Sequence, residues 1–243
     1  IHWTAVFNHE IKGGREEGTK NHRLRTMLFE MINKLDTSKK YFTVSTHDDA
    51  PQGIFPTNTV HFHAGGNSLC NNLEPIPLIA SGLPNIDDHQ KMIFCSFVGS
   101  TTNPLRNHTL NVLSQHPGYL IRAFDWSDKV SPEQQSLFYE AMSKSRFSLC
   151  PRGYGATSYR LYEAIQMGSI PVYISDNHLL PWSDVLDWNE FCVIIDQNNI
   201  QNIDTILKSM SETQVRNMQR KMKEVYSDYF TIDGTYEQIL RRI

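Results

Sequence analysis

The fold is decided by one stretch, Cys150–Ile174, which reads CPRGYGATSYRLYEAIQMGSIPVYI. A strand is predicted to end at Cys150, and a glycine-containing loop follows it. A helix then begins near Ser158 and stops at Gly168, where a glycine can end it. The apolar run Ile170–Ser175 predicts the next strand. Strand, helix and strand in this order are typical of a parallel sheet covered by helices.

The same alternation extends along most of the chain. β-Branched, aromatic and apolar runs predict strands over residues 2–7, 41–45, 59–63, 92–98, 119–124, 147–150 and 191–195. Helical spacing and capping residues predict helices over 21–36, from 104 through 113, from 131 through 142, 200–210 and 212–226. We therefore predict an α/β protein with parallel sheets in two units, residues 1–90 and 91–243. The boundary is expected in the Pro/Gly/Asp-containing stretch 81–89, and the N-terminal unit is the smaller one.

Composition excludes several classes of protein. The 243 residues carry 23 Lys+Arg and 26 Asp+Glu, a net charge of −3, which argues against a nucleic-acid-binding protein. Apolar residues at 40% and aromatic residues at 11% exclude a disordered chain. No apolar run is long enough for a membrane helix, and no signal-peptide pattern opens the sequence. The four cysteines form no CxxC pair, so we expect reduced, buried thiols and neither a disulfide framework nor a zinc site.

The loop after the strand ending at residue 150 is suited to phosphate. In a parallel sheet it lies at the carboxyl edge, where ligands bind. Gly153 and Gly155 let the backbone approach a ligand, and the helix beginning at Ser158 offers free N–H groups. Arg152 and Arg160 add cations that can fork onto phosphate oxygens, although a packing role for Arg160 is equally open.

Two neighbouring features extend this site. Glu163, about one turn into the helix, can accept hydrogen bonds from ribose hydroxyls, so donors and acceptor together indicate a nucleotide. The segment Gly99–Arg106 has the same strand–loop–helix form, with Arg106 in the first turn; the alternative is a capped helix with a solvated arginine. The sequence contains no P-loop, complete dinucleotide fingerprint, EF-hand or HExxH motif.

These motifs carry a family resemblance. The segment 150–177, followed by LPWSDVLDWNEFCVII at 180–195, resembles the donor domain of exostosin-like glycosyltransferases, glycosyltransferase family 47. FVGSTTNPLRNHTL at 97–110 resembles the segment that opens this domain, and YFTVSTHDDAP at 41–51 resembles a strand plus His-Asp motif of the first half. The resemblance implies the GT-B architecture, two Rossmann-like domains with parallel sheets facing across a cleft. Residues 1–90 would then be the acceptor side and residues 91–243 the nucleotide-sugar side.

The resemblance also implies a reaction. Such enzymes are inverting and use nucleotide sugars, so we expect transfer from a UDP-sugar to a glycan hydroxyl by direct displacement. UDP-xylose is the first choice, with UDP-galactose, UDP-glucuronate and UDP-N-acetylglucosamine open. Positive charge for the leaving diphosphate is assigned to Arg152 and Arg106, with the 153–158 backbone and Ser158. The sequence has no Asp-x-Asp triplet, so neither an essential metal nor another cofactor is expected. A non-catalytic nucleotide-sugar or glycan-binding module is the alternative.

We expect the general base to follow the strand 41–45. Asp48 is the first candidate and His47 the second, while Asp49 and Glu10 stay open. The competing interpretation is a structural turn, which aspartate favours. His61-x-His63 places both rings on one side of a strand, where they are ligands for a metal or, more often, structural.

Two expectations concern cellular context and chain ends. Asn107-His108-Thr109 is a glycosylation sequon only in the secretory pathway. We expect a soluble, cytoplasmic enzyme of a microbe or virus, the alternative being the Golgi lumen with an anchor removed. Because the chain begins at Ile1 and its first half is short, we expect a missing N-terminal strand or a minimal acceptor domain.

Overall fold

A computed structural model describes residues 20–49, 55–67, 70–80, 90–127 and 129–243. The chain forms two compact units, of which the first ends at Ile76 and takes in Ile243, and the second spans Pro77–Arg242. The division follows Ile76, before the stretch 81–89 that the sequence predicts as the boundary, and the acceptor-side and donor-side roles of the units stay predictions. The predicted strand 2–7, the candidate base Glu10 and the stretch 81–89 lie outside the described residues.

The first unit has a three-stranded parallel sheet in the order β1-β2-β3. Its elements are helix α1 (Lys20–Ile32) and strands β1 (Tyr41–Ser45), β2 (Thr59–His63) and β3 (Leu73–Pro75). The sequence does not predict this third strand, because prolines interrupt the stretch that contains it. Pro75 is tolerated there because it ends an edge strand, where a missing N–H is harmless. Helix α1 ends at Ile32, short of the predicted residue 36.

The second unit has a five-stranded parallel sheet in the order β5-β4-β6-β7-β8. Its strands are β4 (Ile93–Ser100), β5 (Tyr119–Phe124), β6 (Ser145–Pro151), β7 (Ile170–Ser175) and β8 (Val193–Asp196). The chain leaves β4 towards β5 on one side and continues at β6 on the other side. A strand order that reverses in this way opens a crevice at the carboxyl ends of β4 and β6. The predicted α/β class with parallel sheets is confirmed in both units.

Helices lie between these strands and after the last of them. They are α2 (Pro104–Leu113), α3 (Pro132–Ser143), α4 (Tyr159–Gln166), α5 (Ile203–Ser209), α6 (Glu212–Tyr229) and α7 (Ile232–Leu240), with 3₁₀ turns at Trp188–Glu190 and Gln197–Asn202. The first three begin at capping residues Asn103, Ser131 and Ser158. Each side chain accepts a hydrogen bond from the first helical turn, which satisfies a backbone donor that the helix leaves free.

Helix α7, unlike the other helices of the second unit, was not predicted from the sequence. It contains Gly234, a poor helix former, where a Cβ would lie 2.4 Å from the Ser227 carbonyl oxygen. The glycine therefore allows a close approach to α6 and at the same time weakens the helical pattern. Beside the turn between α6 and α7, the ring of Phe230 lies 5.3 Å from that of Trp188. Tertiary packing, rather than local propensity, selects this helix. In the described part of the chain, no helix is both long and apolar enough to cross a bilayer.

Candidate nucleotide-binding site

A cavity of about 330 Å³ opens at the carboxyl edge of the second sheet. Its walls come from the ends of β4 and β5, the start of α3 and the first turns of α4. Three of the residues predicted for a nucleotide site line it, namely Gly99, Arg160 and Glu163. A volume of this size lies in the range of small-molecule sites, roughly 300–1,000 Å³.

Arg160 is a buried cation at this cavity. Its side chain is 8% exposed, and its Cζ lies 4.2 Å from the ring centroid of Phe97 and 5.0 Å from that of Phe138. Among the described residues its guanidinium makes no hydrogen bond or ion pair, and its Nε is buried without a partner. Burial lowers the pKa of Arg160, against the opposing effects of Cys150 and Glu163. A buried cation whose donors are unused favours an incoming anion.

Gly99 makes room for this guanidinium. A Cβ at position 99 would lie 2.2 Å from Nη2 of Arg160. Only a residue without a side chain allows β4 and the arginine to approach so closely. Gly99, which was predicted as part of the nucleotide site, therefore makes room for the cation.

Glu163 supplies an acceptor one turn further along α4. Residues 160 and 163 share a helix face, because positions three apart are neighbours on a helix. Glu163 is partly buried, and this burial raises the pKa of its carboxyl group, while Arg160 opposes the shift. The cavity thus presents a cation and a carboxylate side by side.

Arg106 occupies a different position from the one expected. Its side chain is 5% exposed; Nη1 donates to the Ser100 carbonyl at 2.9 Å, and Nη2 donates to the Pro151 carbonyl at 3.0 Å. The guanidinium thereby joins the carboxyl ends of β4 and β6 at the point where the strand order reverses. Burial and the nearby Arg160 lower the pKa of Arg106 to about 9. In this structure it is a structural clamp, and its contact with phosphate stays a prediction.

The loop after β6 is also held by internal contacts. Arg152 donates to the Tyr154 and Gly155 carbonyls and pairs with Asp176, whose pKa it keeps low. The backbone N–H of Gly153 donates to the Thr157 carbonyl at 3.3 Å. Gly155 is buried, and the Ser158 hydroxyl accepts from the backbone of Arg160 as the cap of α4. These predicted phosphate ligands do not line the cavity.

In the first unit, His47 and Asp48 follow the end of β1, as predicted. The backbone of Asn67 donates to the Asp48 carbonyl at 2.9 Å, and Nε2 of His63 bonds the His47 carbonyl at 2.9 Å. A Cβ at Gly65 would lie 2.1 Å from Cα of Asp48, so the two loops pack backbone to backbone. The candidate bases therefore belong to an ordered loop pair, which fits a site as well as a structural turn.

His61 and His63 have structural partners. Nδ1 of His61 lies 2.9 Å from the Thr43 hydroxyl, and both rings are buried. Burial lowers the pKa of both imidazoles. No cluster of three or more metal-ligating side chains occurs among the residues that the structure describes.

The sequence reasoning missed the second wall of the cavity. Phe124, Trp126, Lys129 and Val130 line it from the end of β5 and the following loop, and Phe138 lines it from α3. One signal for this wall was present in the sequence: Trp126 follows the carboxyl end of a predicted strand, where ligands bind in a parallel sheet.

The second unit is thus an α/β domain with a ligand cavity at the carboxyl edge of a parallel sheet. The family model of the Exostosin GT47 domain matches residues 72–210, more than half of the chain. The chain therefore belongs to the exostosin GT47 family, as its motifs predicted.

Several proteins resemble it over different lengths. A protein of Arabidopsis thaliana named as a probable glycosyltransferase is 30% identical over 212 residues, covering 76% of this chain and 38% of the relative. The probable beta-1,4-xylosyltransferase IRX10L of Arabidopsis thaliana is 37% identical over 91 residues, covering 37% of this chain and 22% of the relative. A probable glucuronosyltransferase of Oryza sativa subsp. japonica is 38% identical over 91 residues, covering 37% of this chain and 21% of the relative. The chain spans less than two-fifths of the length of each of these relatives.

A solved structure also matches part of this chain. The crystal structure of TarM covers 72% of this chain and 39% of its own, with 11% identity and a TM-score of 0.45.

Proposed function

We propose that this chain carries the donor-binding and transfer site of an inverting, UDP-sugar-dependent glycosyltransferase. The observation that carries the proposal is the buried Arg160 cation, which lines a cavity and whose Nε has no hydrogen-bond partner among the described residues. Glu163 lies on the same helix face and offers an acceptor for ribose hydroxyls. Family membership and relatives named as glycosyltransferases support the same reaction class.

The diphosphate would be stabilised chiefly by Arg160. During transfer the leaving diphosphate gains negative charge, and a cation already fixed in a dry site stabilises that charge without reorganising. Arg152 can add a second cation, because the carboxylate of its partner Asp176 is 39% exposed and such surface pairs are weak. Arg106 acts indirectly in this proposal, as a positioning residue that fixes the ends of β4 and β6.

The acceptor hydroxyl must lose a proton as it attacks. In a direct displacement its oxygen forms a bond to the anomeric carbon while the bond from that carbon to the diphosphate oxygen breaks, so the configuration inverts. The proton passes to a general base, for which Asp48 is the first candidate and His47 the second. Both lie in the ordered loop after β1.

UDP-xylose remains the first choice of donor, and a glycan hydroxyl the acceptor. A relative named as a xylosyltransferase supports this choice, while relatives named as glucuronosyltransferases support UDP-glucuronate. UDP-galactose and UDP-N-acetylglucosamine stay in the test set.

The test is a UDP-release assay with each of the four donors and a panel of glycan acceptors. We expect one donor to give acceptor-dependent release, and Arg160→Met to reduce it at least tenfold. Arg146→Met is the matched control, because Arg146 is a surface arginine paired with Glu212 and should leave activity unchanged. Binding of UDP-sugars without turnover of any donor would instead support the non-catalytic module.

Two further arms test the base and the metal. Asp48→Asn should abolish transfer while UDP still binds; near-normal transfer would remove Asp48 and direct attention to His47. Activity should persist in EDTA, and its loss would overturn the expectation of a metal-independent enzyme.

A further inference from the structure

The cavity has an aromatic wall, which neither phosphate nor ribose requires for binding. Trp126 lines it with a side chain that is 68% exposed, and Val130 lines it at 65% exposed. Trp182 and Trp188, in the same unit, are only 2% and 3% exposed. A large apolar side chain held open beside a cavity is typical of a surface that a ligand covers.

We propose that Trp126 is the stacking platform for the uracil base of the donor nucleotide. This inference rests on the proposed function, because it takes UDP as the nucleotide, and it adds a binding residue on a different element from those already considered. The occupant is a flat, neutral pyrimidine ring, whose π-face an indole can cover.

The arrangement of the sheet separates the two walls. Arg160 and Glu163 reach the cavity from α4, which follows β6 on one side of β4. Trp126 reaches it from the loop after β5, on the other side of β4. A nucleotide whose diphosphate and ribose bind along α4 would therefore direct its base towards the β5 loop.

The chemistry of the two walls matches this orientation. The α4 wall holds the buried cation and the carboxylate, which suit phosphate and ribose hydroxyls. The β5 side offers Phe124, Trp126 and Val130, which suit an apolar ring face. Lys129 lies on the same loop, so the experiment must separate stacking from attraction of phosphate by this lysine.

The experiment measures dissociation constants by calorimetry for uridine, UDP and inorganic pyrophosphate with the whole chain. We expect Trp126→Ala to weaken uridine and UDP by the same factor, about tenfold, since base–aromatic stacking contributes on this scale. Pyrophosphate binding should not change. Trp126→Phe keeps an aromatic face and should stay within about threefold of the native protein. Tyr236→Ala, which removes an aromatic side chain 59% exposed on α7, is the matched control and should bind all three probes normally.

The outcomes distinguish this inference from the proposed function. If the native chain binds UDP and Trp126→Ala binds it equally well, Trp126 has no part in the nucleotide site and the inference is wrong. A Trp126 that covers an acceptor sugar would give this same result. An equal loss for pyrophosphate would assign the effect to phosphate or to folding and would also overturn the inference. If the native chain binds neither uridine nor UDP, the proposed function fails together with it.

Discussion

Nη2 of Arg106 donates a 3.0 Å hydrogen bond to the carbonyl of Pro151, the last residue of β6. Its Nη1 donates to the last carbonyl of β4, so one guanidinium spans the two strands between which the sheet order reverses. Arg106 therefore holds together the two strand ends between which nucleotides bind in such sheets. Its role is to fix the geometry on which the Arg160 cavity depends.

Removing this clamp should destabilise the second unit. Arg106→Met leaves two carbonyls without their charged donor, and hydrogen bonds to charged groups contribute about 1.5–3 kcal/mol each. We expect the free energy of unfolding, measured by urea denaturation, to fall by about 2–4 kcal/mol. Arg106→Lys should recover part of this loss, because a lysine can reach one of the two carbonyls. Arg146→Met, which removes an exposed ion pair, should cost less than about 1 kcal/mol. Equal stability of Arg106→Met and the native chain would contradict the clamp.

Gly99→Ala should weaken anion binding. The new methyl group would lie 2.2 Å from Nη2 of Arg160, the far end of a flexible side chain, so the guanidinium moves. The backbone φ of Gly99 is +157°, which L side chains rarely adopt, so the variant also loses some stability. We expect UDP to bind roughly tenfold more weakly, the loss of about one charge-assisted contact. Gly168→Ala is the matched control, because Gly168 also has a positive φ of 61°, its Cβ would meet the nearest atom at 3.7 Å, and it does not line the cavity. Calorimetry that finds the two variants alike would refute this role of Gly99.

Donor binding should weaken on acidification through Glu163. Burial raises the pKa of this carboxyl above its ordinary 4.5, so it takes up a proton at a higher pH than a surface glutamate does. Protonation replaces a hydrogen-bond acceptor with a donor, and ribose hydroxyls then lose their partner. UDP-xylose suits the titration because its diphosphate does not itself titrate in this range. Dissociation constants measured from pH 8 to 5 should rise for the native chain and stay flat for Glu163→Gln; parallel curves would exclude Glu163 from the site.

The first unit should lose stability below neutral pH. Burial lowers the pKa of His61 and His63 from 6.5, so the unfolded chain binds these protons before the folded one does. Their contribution to stability is therefore complete above about pH 6.5 and is lost as the pH falls towards the lower folded pKa values. Thermal unfolding at pH 7.5 and 5.5 should show this decrease, and His63→Gln, which cannot titrate, should reduce it. A decrease of the same size in His63→Gln would assign it to other groups.

Local signals in the sequence predicted those parts of the fold that local physics controls. The apolar run 170–175 became a strand with those bounds, and Ser131 and Ser211 cap their helices through the predicted capping boxes. Strand β3 and helix α7 escaped prediction because Pro75 and Gly234 oppose the local preference, and only an edge position and a close helix contact make them acceptable.

By itself the sequence determined the alternation of strands and helices, the parallel sheets and the family, because these depend on residue type and spacing along the chain. It also identified arginines 106, 152 and 160 as cations near one sheet edge. Only the tertiary structure decided how each cation is used. Arg106 donates hydrogen bonds to the carbonyls of Ser100 and Pro151. Arg152 forms an ion pair with Asp176, whereas Arg160 lies buried against the ring of Phe97 at the cavity. The three arginines differ because their partners lie far apart in the chain and because folding shields each charge from water to a different degree. The local spacing of residues encodes neither of these effects.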